Sequence, residues 1–219
     1  MDWGAFLTTN EGVPWWTPKT TPLSFVRKES VRLDEWGRGA RIETRISTAQ
    51  PCLAFMCAHT SDIWHAPYGD LGGGGGQWVI DVKLSAAKAS VLCEIYLFTL
   101  VYPQPVPDWG MAVWDEAGQC VITSDTKPLV IEGEDSTARR QGKILNGKKA
   151  ILMQRTGWYL SRYDHEDARN RFSDTSFSTA FNGRNTQLLT GAVDIETNVI
   201  IGQDQWDLTS PYIDCALYD

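Results

Sequence analysis

The chain has 219 residues, 42% of them hydrophobic, 21% charged and 11% aromatic, a globular composition that excludes general disorder and collagen-like repeats. Twenty Lys and Arg against 27 Asp and Glu leave a formal charge of −7, which excludes the basic footprint that duplex nucleic acid or anionic lipid requires. The length suits one large β domain or two small ones.

In chain order, strands are predicted at 23–32, 40–48, 52–58, 77–84 and 90–102. ARIETRIST (40–48) alternates Ile42, Thr44, Ile46 and Thr48 with Arg41, Glu43, Arg45 and Ser47, the period of a strand with one wet face. SVLCEIYLFTLVY (90–102) is apolar on both faces apart from Glu94 and reads as a central strand covered on both sides. WGMAVWDEAGQCVIT (109–123) places Asp115, Glu116, Ala117 and Gly118 between two apolar runs, the spacing of a four-residue hairpin loop with glycine at a positive φ. Trp109, Gly110, Trp114, Asp115 and Gly118 mark this structural hairpin. Further strands are predicted at 150–155, 157–163, 198–201 and 212–218. No window carries a capped helical stripe, so the fold class is all-β.

Three segments read as loops: the five glycines Gly72 to Gly76, taken as long and mobile, and the polar stretches 131–143 and 162–174. An internal repeat is also visible. Shifted by 106 residues without gaps, WGAFLTTNEGVPWWTPKTTPL (3–23) overlies WGMAVWDEAGQCVITSDTKPL (109–129), with seven identities that run from Trp3 and Trp109 to Leu23 and Leu129. The Pro-rich YPQPVP (102–107) falls between the halves. Two related immunoglobulin-like β-sandwich modules are therefore expected, 1–105 and 106–219; the alternative is one larger β-sandwich.

The opening MDWGAFLTTNEG has neither a basic n-region nor an apolar h-region, and no apolar run approaches a bilayer span. The expectation is synthesis in a cytoplasm and no membrane insertion. Five cysteines, Cys52, Cys57, Cys93, Cys120 and Cys215, are an odd number without an export signal and read as reduced, buried small hydrophobes.

Chemistry-bearing constellations are sparse. GKILNGKK (142–149) approaches a phosphate loop, but Lys149 stands where a Ser or Thr metal ligand is needed, and the plain reading is a basic turn. His59, His65 and His165 lie outside any cysteine spacing for zinc, and Cys52 and Cys57 fall on opposite faces of one strand. Asp164, His165, Glu166 and Asp167 form the densest ionisable cluster; a sugar depolymerase would need two such carboxylates about 5–9.5 Å apart, whereas a solvated loop needs nothing. Cys57 and His59 project in parallel with no base-orienting partner visible in the sequence. No catalytic, cofactor-binding or metal residue is assigned, and no cofactor is expected. The ten tryptophans are the unusual component. Trp78, Trp109 and Trp114 are expected in the core, while Trp15, Trp16, Trp36 and Trp64 sit beside Pro, Gly, Asp or His and are the candidate protein interface.

YPQPVPDWGMAVWDEAGQCVITSDTKPL, the opening WGAFLTTNEGVPWWTPKTTPL and the closing CALYD resemble a family of small tail proteins of lambda-like long-tailed bacteriophages and prophages. The resemblance runs in order along nearly the whole chain and is strongest over 102–129. It implies a non-enzymatic structural component of the virion tail tip, assembled in the host cytoplasm. The implied partner is the tip host-specificity protein or central fibre, with a homotrimer or three copies per tail and a share in host attachment. Two alternatives stay open: a receptor-binding protein touching host lipopolysaccharide or an outer-membrane protein through mobile loops at 59–76 and 162–174, and a polysaccharide-cleaving enzyme using Asp164, Glu166 or Asp167. No catalytic or metal motif comes with the family.

Overall fold

A computed structural model describes residues 7–8, 14–16, 21–34, 39–63, 66–84, 90–136, 142–163, 170–190 and 198–219. Among these the chain is all-β. Two short strands, β1 (Leu7–Thr8) and β2 (Pro14–Trp16), come first. β3 (Leu23–Leu33), β4 (Ala40–Ser47), β5 (Cys52–His59), β6 (Tyr68–Gly74), β7 (Gln77–Lys83) and β8 (Val91–Leu100) follow. The second half holds β9 (Ala112–Trp114), β10 (Cys120–Thr123), β11 (Gly133–Ser136), β12 (Lys143–Asn146), β13 (Lys149–Leu152), β14 (Arg155–Tyr163), β15 (Asn170–Phe181), β16 (Asn185–Thr190), β17 (Asn198–Gln205) and β18 (Thr209–Asp214). A 3₁₀ turn, Cys215–Leu217, closes the described chain; the Asp214 carboxylate caps it by accepting from the Ala216 N–H.

The pairing scheme repeats. In the first half β3 pairs with β8 and β8 with β5, while β4 pairs with β7 and β7 with β6. In the second half β11 pairs with β18 and β18 with β13, while β12 pairs with β16 and β16 with β15. The halves join by like strands: β5 lies antiparallel to β13, with Met56 opposite Ile151, and β6 meets β15 at Tyr68 and Ser178. Two six-stranded layers result, β3-β8-β5-β13-β18-β11 and β4-β7-β6-β15-β16-β12, joined into one continuous sheet where β15 pairs parallel with β5 at Phe181 and His59, and each crossing the 105/106 boundary expected between modules. From β3 to β8 consecutive strands pass from one layer to the other except at the β6–β7 hairpin, which stays within one layer, as the β15–β16 hairpin does in the second half. The second half adds an arm with no counterpart among the described strands of the first, in which β14 pairs with both β15 and β17.

Between the layers of the first half, Leu33, Ala54, Met56, Ile80, Val82, Cys93, Ile95 and Leu97 are buried together. Ile151, Phe177, Leu188 and Tyr212 do the same in the second. β5 and β8 are apolar on both faces because their other face is also covered. Phe55, Cys57, Tyr96 and Phe98 pack there against Ala150, Ile213, Cys215 and Tyr218, with Phe25 and Leu129. The edges of this layer are tied at one point: Phe25 N–H donates to Lys127 C=O and Leu129 N–H to Leu23 C=O, both at 2.8 Å.

Several expectations need correction. Gly72 to Gly76 is not a long loop. Gly72, Gly73 and Gly74 lie in β6 opposite Val79, Trp78 and Gln77, and only Gly75 and Gly76 turn, with φ of +62° and +81°, the two positive angles a tight hairpin turn requires. Backbone hydrogen bonds need no side chains, so a glycine run can be strand. The polar stretch 131–143 contains β11 and the start of β12, and 162–174 contains the end of β14 and the start of β15. β15 buries Thr175, Ser176, Ser178 and Thr179; the Thr179 hydroxyl donates to Met56 C=O and accepts from Ala58 N–H, so polar residues line the junction with β5. The final expected strand, 212–218, ends at Asp214 and gives way to the 3₁₀ turn. All five cysteines are free and buried, and Cys52 and Cys57 face opposite sides of β5, as expected. No described helix is long and apolar enough to cross a membrane.

Candidate protein interface

The β9–β10 hairpin forms as its sequence predicts. Asp115 Oδ1 accepts the N–H groups of Ala117 and Gln119, both at 2.9 Å, and Gly118 takes φ +75°. The Tyr102 hydroxyl donates to Asp115 Oδ2 at 2.6 Å. This bond, with those from the Gln119 and Ala117 backbone, holds the Asp115 carboxyl below its ordinary range and raises the Tyr102 phenol. Gly110, at φ +131°, turns the chain where Ser124 Oγ fills the space a Cβ would need. Gln104 N–H donates to Cys120 C=O and Ser124 N–H to Met111 C=O, both at 2.8 Å, which fixes the hairpin to its flanks. Val121 and Ile122 are buried with Val113 against them, a small core of the hairpin's own.

That small core cannot cover the large side chains. Trp109 is 89% exposed, Met111 77%, Val106 57%, Trp114 50% and Tyr102 48%. The expectation that Trp109 and Trp114 are core residues is therefore overturned. The hairpin has only three residue pairs, and Trp109 and Met111 stand largely uncovered on it. Trp78 does pack against the core, its indole N–H donating to Gln50 C=O at 2.8 Å. Trp15 and Trp16 lie on β2 by backbone, their side chains outside the described set, and Trp36 and Trp64 are likewise outside it. Asp164, His165, Glu166, Asp167 and His65 also fall outside the described residues.

A second constellation escaped the sequence because its members are far apart in the chain. Glu94 on β8 is bound by two lysines, Lys148 Nζ at 2.9 Å and Lys28 Nζ at 3.2 Å, and by the His59 ring Nε2 at 2.8 Å. Asp219 takes Lys148 at 2.5 Å, Lys28 at 2.8 Å and the Tyr96 hydroxyl at 2.8 Å. Burial opposes the charge on both carboxylates, and these bonds outweigh it, holding each at about 2. Glu94 is also the base-orienting partner that Cys57 and His59 lacked on paper. Yet the Cys57 thiol is buried, and its contact with Cys215 together with desolvation pushes it well above its ordinary value. An activated thiol needs the opposite shift. The cluster's visible work is to clamp the segment after β18 onto β8 and the β12–β13 turn. The basic run 142–149 is absorbed in this way: Lys148 is held as above and Lys149 by Glu132 at 2.6 Å and Asp214 at 3.1 Å, and strand rather than helix follows it.

No protein-family model matches the chain, and no curated protein or solved structure does either.

Proposed function

We propose that this chain is a structural component of a long-tailed bacteriophage tail tip that docks through the β9–β10 hairpin on the tip host-specificity protein or the central fibre. The observation that carries this reading is the outward set Trp109, Met111 and Trp114 on a hairpin with a satisfied turn and a fixed base. Rigid, exposed aromatic residues of this kind supply interface hot spots. The sequence resemblance over 102–129 covers the same hairpin and supplies the tail context. A tip of three-fold or six-fold symmetry accommodates a homotrimer or three copies around the fibre. Quantitative mass spectrometry of purified virions tests the reading. A fixed copy number in step with the tip protein supports it, and absence from virions refutes it.

A further inference from the structure

The β4-β7-β6 part of the second layer has two edges of opposite kinds. At β4, which pairs only with β7 among the described strands, the edge is blunted. Arg41, Glu43 and Arg45 stand exposed along it, the register shifts between Glu43 and Ser47 with Arg45 at φ +57°, and the Thr44 C=O already takes the Arg27 guanidinium. Charges and a bulge of this kind keep a strand edge from pairing with another chain.

The other edge is bare. β6 pairs with β7 along its whole length, and on its other side, among the described residues, it meets only β15, at the single pair Tyr68 and Ser178. Gly72, Gly73 and Gly74 therefore form a strand edge with no second neighbour there, and Gly72 and Gly73 are exposed. From Leu71 to Ile80 the sequence holds no charged residue and no proline. None of the devices that blunt β4 is present.

The fold of one chain does not call for all of these glycines. Gly72 lacks the positive φ of Gly75 and Gly76, and a Cβ placed on it would meet nothing within 4 Å. A glycine inside a strand costs backbone entropy and leaves no side chain to pack. What it leaves here is uncovered backbone. Open N–H and C=O groups at strand spacing are matched by the backbone of another strand.

We infer that the glycine edge of β6 pairs antiparallel with β6 of a second copy of this chain, joining two β4-β7-β6 sheets into one about a two-fold axis. The edge is complementary to itself in that arrangement, because each outward N–H of one copy meets an outward C=O of the other. The uncharged run also lets two chains that each carry −7 come together without like charges facing across the seam. Main-chain hydrogen bonds rather than apolar area hold such a contact, and its small size makes it a transient one, so association is expected at about micromolar to millimolar concentrations. It rests on the strand edge alone and not on the hairpin or the tail assignment.

The test is sedimentation equilibrium of the full chain across that range, with hydrogen exchange read at the same concentrations. The expected result is a monomer that passes to a dimer, with protection of the Gly72–Gly74 segment rising in step. Gly72→Lys has open space for its side chain, so it keeps the fold in a thermal melt while it sets two lysines close together across the seam, and it should weaken association more than about tenfold. Trp109→Ala should leave association unchanged. A monomer at every concentration, assemblies that grow past two copies, or a dimer that Gly72→Lys leaves intact overturns the inference. So does a dimer that Trp109→Ala abolishes, since the hairpin is then the self-contact. The exchange data on the unaltered chain decide without any variant: protection that rises elsewhere and not at Gly72–Gly74 is also a refutation. A dimer absent from virions would sink the tail reading and leave the edge pairing standing; a virion component that stays monomeric would do the reverse.

Discussion

Replacing Tyr218 by Ala tests whether the segment after β18 is part of the core. Tyr218 is 4% exposed and packs against Phe98 at 4.9 Å between ring centroids, edge to face, and Phe25 at 5.3 Å. Its hydroxyl donates to Pro128 C=O at 2.9 Å and accepts from Val130 N–H at 2.8 Å, tying this segment to the chain that enters β11. Truncating a buried aromatic costs about 3–5 kcal/mol, which for a chain of this size lowers Tm by roughly 6–20 °C. Tyr218→Phe keeps the rings and loses only the hydroxyl, which leaves two backbone groups without that partner at a cost of about 1–2 kcal/mol. Urea melts read both values from the shift in midpoint at unchanged slope. Hydrogen exchange should localise the loss, with the Phe25 and Leu129 amides opening first in the Ala variant. A Tyr218→Ala loss under about 1 kcal/mol, the level of an ordinary surface change, would show that the segment does not cover the outer face of β5 and β8.

Three further outcomes follow from the same packing. Trp109→Ala should change stability by no more than about 0.5 kcal/mol, because the indole is exposed; a loss of several kcal/mol in a thermal melt would return it to the core. Glu94 is held at about 2 against an ordinary 4.5, so its stabilising charge is fully present above about pH 4.5 and is lost as pH falls toward 2. Urea midpoints between neutral and acid pH should show a loss in which Glu94 contributes up to about 3 kcal/mol; Glu94→Gln removes that share and leaves the one from Asp219, which is also held at about 2, and an unchanged pH dependence in that variant would refute the clamp. Gly76→Val places a β-branched residue at φ +81° and should cost about 1–2 kcal/mol, whereas a mobile glycine loop would absorb it without effect.

Strands whose burial is carried by Ile, Val, Leu and aromatic residues were legible, in β3, β4, β5, β7 and β8 and in the β9–β10 turn. β11, β12, β15 and β16 were not, because they keep place by backbone pairing and buried hydroxyls: Thr175, Ser178 and Thr179 look like loop chemistry in a linear reading. Gly72–Gly74 failed for the related reason that a strand without side chains has no periodicity to read. Alternation told that Trp109 and Trp114 belong to a hairpin, and it could not tell whether a second layer covers them. The ionic clamp draws Lys28, His59, Glu94, Lys148 and Asp219 from five separate segments. Its one visible sign was Glu94, a lone charge in an otherwise apolar strand, which a buried strand tolerates only when the charge is paired. The repeat, by contrast, was visible as seven identities and returned as an equal strand order in both halves.

The deciding measurement is the copy number per virion of the full chain and of its Trp109→Ala, Met111→Ala variant, alongside a melt that shows the variant folded. A fixed stoichiometry for the unaltered chain and loss of the folded variant from virions are expected if the hairpin is the docking surface. Incorporation of the variant at the unaltered level would contradict it.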